Sequence, residues 1–237
     1  MKILAVDSSG LVASVALVQD DMLLAEYTIN YKKTHSQTLL PMLEEIKEMI
    51  ELDLKSVDYI AVAAGPSSFT GLRIGSATAK GMGLALKKDI VEVPTLEGLA
   101  YNLCGTDKYV CPLMDARRNQ VYTGLYRFEK EDNDWIMETV RKQCAVDVRE
   151  IIGICNELGQ EVVFLGDGVP VYRKQIEELI QVPYSFAPAH MNRQRAASVA
   201  ALACRYAEAG KIVPAAEHEP DYLRKSQAER EREEGKC

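Results

Sequence analysis

The sequence predicts an α/β protein of two lobes, each a copy of one hairpin–strand–helix–strand–helix unit. Three observations carry that expectation. Residues 3–7 (ILAVD) and 109–115 (YVCPLMD) are both short apolar runs that end on an aspartate, and each leads into turn residues and an alternating strand. Residues 58–86 (DYIAVAAGPSSFTGLRIGSATAKGMGLAL) pass from a strand through Gly65-Pro66 into a helix, and residues 162–180 repeat that passage through Gly166-Asp167-Gly168. The chain has 237 residues, 47% of them hydrophobic, enough for two lobes with a core each. The expected division is an N-terminal lobe over 1–106, a C-terminal lobe over 107–225 and a charged tail over 226–237.

In chain order, residues 3–7, 12–18 and 22–29 read as a three-stranded meander, its turns made by Ser8-Ser9-Gly10 and Asp20-Asp21. Residues 35–52 read as a helix, with Ser36 as a cap and Pro41 tolerated near the start. Leu39, Leu43, Ile46 and Ile50 form its core stripe, and Leu40, Met42 and Met49 widen it beyond a single face. Residues 59–64 are a buried strand, and Ser67, Ser68 and Thr70 are candidate caps of the next helix, residues 70–86. There Gly71, Gly75, Ala79 and Gly83 recur at every fourth position. Glycine costs about 1 kcal/mol in a helix interior relative to alanine, so the stripe implies a close neighbour, either the chain's own sheet or a partner helix. A strand at 89–93 and a helix from Thr95 to about Leu103, capped by Thr95, complete the first half. The second half adds strands at 121–128, 135–140 and 162–165 and helices at 147–158, 171–180 and 195–209.

Composition narrows the function. A net charge of −7 argues against autonomous, non-specific nucleic-acid binding. No apolar run approaches the ~20 residues of a membrane-spanning helix, and Met1-Lys2 leads straight into a strand, so a cytoplasmic protein is expected. Six scattered cysteines without a C-x-x-C pair read as reduced thiols. His35, His190 and His218 lie far apart, which leaves no H-x-x-x-H metal site.

Each candidate motif carries two readings. Asp7 and Ser9 at the first hairpin tip, with Asp167 in the second loop, are candidate nucleotide contacts; the alternative is a strand end with a capped turn. Residues 65–70 are an anion site or a capped strand-to-helix turn, and the absence of a basic residue in the loop favours the turn. Ser67 and Ser68 lack the G-x-S-x-G context of a nucleophile. Asp115-Ala116-Arg117-Arg118 is a solvated turn or a contact to a partner or tRNA.

Residues 1–14 (MKILAVDSSGLVAS), His35-Ser36 with Leu39-Leu40-Pro41, and residues 65–75 (GPSSFTGLRIG) resemble one family, the bacterial TsaB (YeaZ) proteins. So do residues 95–100 (TLEGLA), 115–118 (DARR) and 220–224 (PDYLR); the 65–75 block is highly specific and the matches in the C-terminal lobe are looser. The resemblance implies the actin-like, Hsp70-like ATPase fold. It also implies a part in making threonylcarbamoyladenosine at position 37 of tRNA, in which threonylcarbamoyl passes from threonylcarbamoyl-AMP to adenosine. In that family the catalytic paralogue TsaD carries the metal-binding histidine motif that this chain lacks. The chain is thereby expected to be a non-catalytic scaffold that dimerises with TsaD and is joined by the ATPase TsaE. No cofactor of its own is expected, with ATP or ADP and Mg²⁺ at the assembled complex and tRNA bound through it. The expected interface is His35, Leu39, Leu43, Leu72, Gly75, Ala79 and Met82, with a homodimer through the same helices when TsaD is absent. Gly75→Trp is expected to break the complex and spare the fold. The family commonly has glycine where this chain has Ser67. The competing class is an independent small-molecule kinase or metallopeptidase of the same fold, opposed by a serine-bearing first loop and by the missing histidine pair.

Overall fold

In the computed structural model, which describes residues 1–31, 35–132 and 134–223, two five-stranded sheets share one topology. In the first, β1 (Lys2–Asp7), β2 (Val12–Gln19) and β3 (Met22–Asn30) form an antiparallel meander. β4 (Tyr59–Gly65) runs parallel to β1, and β5 (Ile90–Pro94) parallel to β4, giving the order β3-β2-β1-β4-β5. In the second, β6 (Tyr109–Asp115), β7 (Gln120–Glu131) and β8 (Asp134–Asp147) repeat the meander. β9 (Val162–Leu165) and β10 (Tyr184–Phe186) add the parallel strands. Helices α1 (Leu39–Met49), α2 (Phe69–Leu86) and α3 (Thr95–Ala100) serve the first unit, and α4 (Val148–Leu158), α5 (Gly168–Leu179) and α6 (Ala196–Glu208) the second. The order βββαβαβα thus occurs twice, the duplicated arrangement of the actin-like ATPase fold.

Side-chain alternation explains how the sheets are covered. Leu4, Val6, Val15, Leu17, Ile60 and Val62 point to one face of the first sheet, against Leu39, Met42, Leu43 and Ile46 of α1 and Ala79 of α2. Their neighbours Ile3, Ala5, Ala16, Ala61 and Ala63 point to the other face, against Val199, Ala200, Leu202 and Ala203 of α6. In the second sheet, Cys111, Leu113 and Val121 meet α4 and α5, while Val110, Met114 and Tyr126 meet Leu96, Leu99 and Ala100 of α3. The last helix of each unit therefore covers the sheet of the other, and the two halves of the chain interlock.

A C-terminal strap strengthens the interlock. Val213 exchanges both backbone hydrogen bonds with Ile90, at 2.8 and 2.9 Å. His218 Nδ1 lies 2.6 Å from Glu92 Oε1, and Lys80 Nζ donates to the His218 carbonyl at 3.2 Å. Further on, Asp221 N–H donates to the Ala64 carbonyl at 2.7 Å, and Tyr222 stacks on Phe69 with ring centroids 4.6 Å apart.

Several local expectations are corrected. The helix expected over 35–52 is a 3-10 turn (His35–Gln37) followed by α1, and Thr38, not Ser36, occupies the cap position without a capping side chain. Among three candidates, Ser68 caps α2, accepting the Gly71 N–H. Thr95 caps nothing: Pro94 precedes α3, and the Thr95 hydroxyl instead accepts the Gly65 N–H at 3.1 Å. β8 extends well beyond the expected residues 135–140, and β10 was not expected. The tail over 226–237 and Arg224 lie outside the described residues, as does the side chain of His35.

Candidate functional site

The first aspartate loop is closed on itself. Asp7 is 2% exposed, and its Oδ1 accepts both the Ser9 N–H at 2.8 Å and the Ser9 hydroxyl at 2.6 Å. Ser8 Oγ donates to the Gly71 carbonyl at 2.8 Å, and the Ser67 hydroxyl donates to the Ser9 carbonyl. These bonds pin the loop to the start of α2. Ser67 is not among the positive-φ residues, so serine sits there without backbone strain and supplies a bond that glycine would not. Gly10 is covered by Gln194, whose amide atoms lie 2.9 Å from where a Cβ on Gly10 would be. The fold implies a Mg²⁺–nucleotide between the lobes, and this loop does not fit one. The Ser9 N–H is committed to Asp7, and the close-approach position at Gly10 is filled by a side chain.

Asp167 sits at the matching place in the second unit. Its Oδ1 accepts the Asp115 N–H at 3.2 Å, and burial pushes its carboxyl pKa up. Gly166 before it has φ +106°, and a Cβ there would lie 2.2 Å from the Leu113 carbonyl, so only glycine fits. Each aspartate is therefore engaged within its own lobe. Arg117, Arg118 and Asn119 follow β6 in left-handed conformation, held by Asp115, whose Oδ1 accepts the Arg117 N–H at 2.9 Å. The same Oδ1 accepts from the Tyr172 hydroxyl at 3.1 Å, and the Tyr172 pKa is pushed up to about 12, chiefly by burial.

Apart from His35, whose side chain lies outside the described residues, the expected interface residues fall on the inner faces of their helices. Leu39 and Leu72 are 1% exposed and Ala79 is fully buried; Leu43 and Gly75 are buried too, and Met82 is half-buried against the same core. A Cβ on Gly75 would lie 2.5 Å from Ser8 Oγ, and one on Gly83 would lie 2.7 Å from Ala215. The glycine stripe is thus spent on the chain's own sheet, first loop and C-terminal strap, and Gly75→Trp cannot spare the fold. The solvent-facing side of α2 carries a second series at the same spacing, Ala77, Gly81 and Ala85, with Leu84 at 55% exposure. A Cβ on Gly81 would meet nothing within 4 Å. Beside it on the same sheet face, α1 exposes Leu40 at 57% and Met49 at 74%. Sequence reasoning missed this face because the heavier glycine stripe drew attention. The signal was present in the recurrence of small residues on the opposite side of the same helix.

Comparison with known proteins agrees with this architecture. Residues 22–232 match the family model described as TsaD, tRNA N6-adenosine threonylcarbamoyltransferase. The tRNA threonylcarbamoyladenosine biosynthesis protein TsaB of Bacillus subtilis (strain 168) is 33% identical over 232 residues, covering 97% of this chain and 96% of the relative. The protein of the same description in Escherichia coli (strain K12) is 28% identical, covering 96% of each. The solved structure of YeaZ from Pseudomonas aeruginosa superposes with a TM-score of 0.77 at 26% identity, covering 94% of this chain and all of that one. With a third of its residues identical along nearly the full length of both chains, the protein belongs to the TsaB (YeaZ) family.

Proposed function

We propose that the protein is the non-catalytic scaffold subunit of the bacterial machinery that makes tRNA threonylcarbamoyladenosine, and that it holds the catalytic subunit TsaD against the outer faces of α1 and α2. The observation that carries this reading is the solvent-facing series Ala77, Gly81 and Ala85 with Leu84 beside it, on the sheet face where α1 exposes Leu40 and Met49. Leu40 and Met49 stand nine positions apart on α1, on opposite sides of it, so a partner seated on α2 reaches one of them; burying it together with Leu84 is worth about 1.5–3 kcal/mol each, a gross gain of roughly 3–6 kcal/mol. A micromolar complex needs about 8 kcal/mol net of association costs, so the large side chains alone fall short. The small residues supply the remainder by letting a partner helix lie close to the α2 backbone over three turns. The closed Asp7 loop supports a chain without catalysis of its own, and in this reading any ATP or ADP and Mg²⁺ belongs to the assembled complex. TsaE and tRNA engage through that complex, in the cytoplasm. When TsaD is absent, the same face pairs two copies of this chain.

The test is association with TsaD from the same organism, by size-exclusion chromatography with light scattering, for the natural chain and for Gly81→Trp. A stable heterodimer that Gly81→Trp disrupts, with the variant's melting curve unchanged, is the expected result. A complex untouched by Gly81→Trp places the interface elsewhere. Failure of the natural chain to associate at micromolar concentrations, together with ATP turnover by the chain alone that Asp7→Ala abolishes, would establish the kinase reading instead.

A further inference from the structure

On the side of the molecule built by α3, α6 and β8, away from the docking helices, lies a cavity of about 290 Å³. Its walls include Trp135, the chain's single tryptophan, with Tyr101 and Tyr206. Glu97 lies among them, its Oε2 accepting the Tyr206 hydroxyl. Glu97 belongs to the TLEGLA stretch singled out in the sequence, and neither the docking face nor the aspartate loops use it. Burial raises its pKa, so the carboxyl is poised to gain from a further hydrogen-bond donor. Behind it, the fully buried Tyr126 hydroxyl has no hydrogen-bond partner among the described residues. Lys211 stands at the rim with its ammonium 4.3 Å from the centre of the Tyr206 ring, and forms no ion pair among the described residues. Arg205, by contrast, is already held by Asp134 at 3.1 Å.

This combination defines a ligand. Aromatic walls favour a flat ring, which stacks on indole and phenol faces with little regard to its exact substituents. A half-buried carboxylate favours an N–H donor on the ring edge, such as an exocyclic amino group, because charge-assisted hydrogen bonds are strongest where water is excluded. The Lys211 ammonium is near enough to Glu97 to work against the rise in its pKa but makes no ion pair with it among the described residues, so its donors remain for an anionic substituent on the same molecule. The volume lies just below the usual range of about 300–1,000 Å³ for small-molecule sites, so the ligand is small.

We propose that this cavity is a binding site for a small nitrogen-containing aromatic molecule carrying an anionic group, of which a nucleoside monophosphate is the representative. The ring lies against Trp135, its N–H edge on Glu97, and its phosphate on Lys211. The site is separate from the docking face, and its occupancy does not depend on TsaD.

Because Trp135 is the single tryptophan, its fluorescence reports occupancy directly. The full-length chain is titrated with AMP, with adenosine as the ring without the anion, and with inorganic phosphate as the anion without the ring. AMP is expected to change the emission saturably, adenosine to bind at least about tenfold more weakly, and phosphate to give no change. Lys211→Met, an exposed position whose replacement leaves the core intact, is expected to bring AMP down to the level of adenosine. Glu97→Gln is expected to weaken both ligands alike, with the far-UV spectrum checking the fold. The proposal is overturned if AMP gives no saturable change below millimolar concentration, if phosphate alone reproduces the change, or if neither substitution alters the titration.

Discussion

Gly75 and Gly81 lie six positions apart in α2, and alanine at each should act in opposite directions. Alanine relieves the backbone cost of a helical glycine by about 1 kcal/mol at either position. At Gly81 nothing opposes that gain, because a Cβ there meets no atom within 4 Å. At Gly75 the new carbon would sit 2.5 Å from Ser8 Oγ, which is buried and holds the Gly71 carbonyl at 2.8 Å. The Ser8 side chain has to move, which forfeits a buried hydrogen bond worth about 1 kcal/mol and adds an overpacking cost of about 1–3 kcal/mol. The net is a loss of about 1–3 kcal/mol for Gly75→Ala against a gain of about 1 kcal/mol for Gly81→Ala. For a chain of this length, each kcal/mol moves the melting temperature by roughly 2–4 °C. Differential scanning calorimetry should therefore show Gly75→Ala melting lower by roughly 2–12 °C and Gly81→Ala melting higher by roughly 2–4 °C. The order should reverse in a binding assay: Gly75→Ala retains affinity for TsaD, while Gly81→Ala loses some. If Gly75→Ala is as stable as Gly81→Ala, the inner stripe does not carry the close contact ascribed to it, and the division of α2 into an inner packing face and an outer docking face collapses.

Asp7→Ala removes the acceptor of both the Ser9 N–H and hydroxyl, so it should lower stability in a urea titration by about 1–3 kcal/mol and leave the ATP turnover of the chain alone at its natural baseline. A loss of turnover without a loss of stability would contradict the structural role. Asp167→Asn keeps an oxygen for the Asp115 N–H but removes a carboxyl whose pKa burial raises above 3.8. The folded state holds that proton more tightly than the unfolded chain, so the natural protein loses stability as pH rises from 3.8 through the raised folded pKa. The asparagine variant should show a flatter profile in that window, and parallel profiles would count against it. Tyr222→Ala removes the stack on Phe69 and the 3.3 Å hydrogen bond from Arg73, worth about 1 kcal/mol at this exposed site. Hydrogen exchange at the Asp221 amide should quicken as the strap loosens, and unchanged exchange would show that Tyr222 does not hold it.

The duplication was legible because it is written in local pattern: two apolar runs ending on Asp7 and Asp115, and two strand–loop–helix passages through glycine. β10 was not, since three residues carry too little periodicity to separate a strand from a loop. The exchange of α3 and α6 between sheets was beyond reach for a different reason. Leu96, Leu99, Val199 and Leu202 announce that each helix buries a face, but an amphipathic pattern does not name the sheet that receives it. The candidate site was read half correctly for the same reason. Gly75 and Ala79 do mark a close approach, and only the fold reveals that the neighbour is Ser8 and the chain's own sheet. At the Asp7 loop, the serines were visible in the sequence. Their hydrogen bonds to Asp7 and Gly71, which close the loop, depend on α2 lying where it does.

The duplicated fold provides its own control for the docking face. α5 occupies in the second unit the place that α2 occupies in the first, following the central parallel strand and covering the same side of its sheet. Both bury an apolar stripe, so covering the sheet accounts for the inner face of each. Their outer faces differ. α5 presents Arg173 and Lys174 paired with Glu177 and Glu178 at i,i+4 spacing, an arrangement that suits a helix left in water. α2 carries no acidic residue in eighteen positions and presents Ala77, Gly81, Leu84 and Ala85. A requirement of the fold would apply to both helices. α5 exposes Val171 and Leu179 but carries no such small-residue series, so covering the sheet does not by itself account for the outer face of α2.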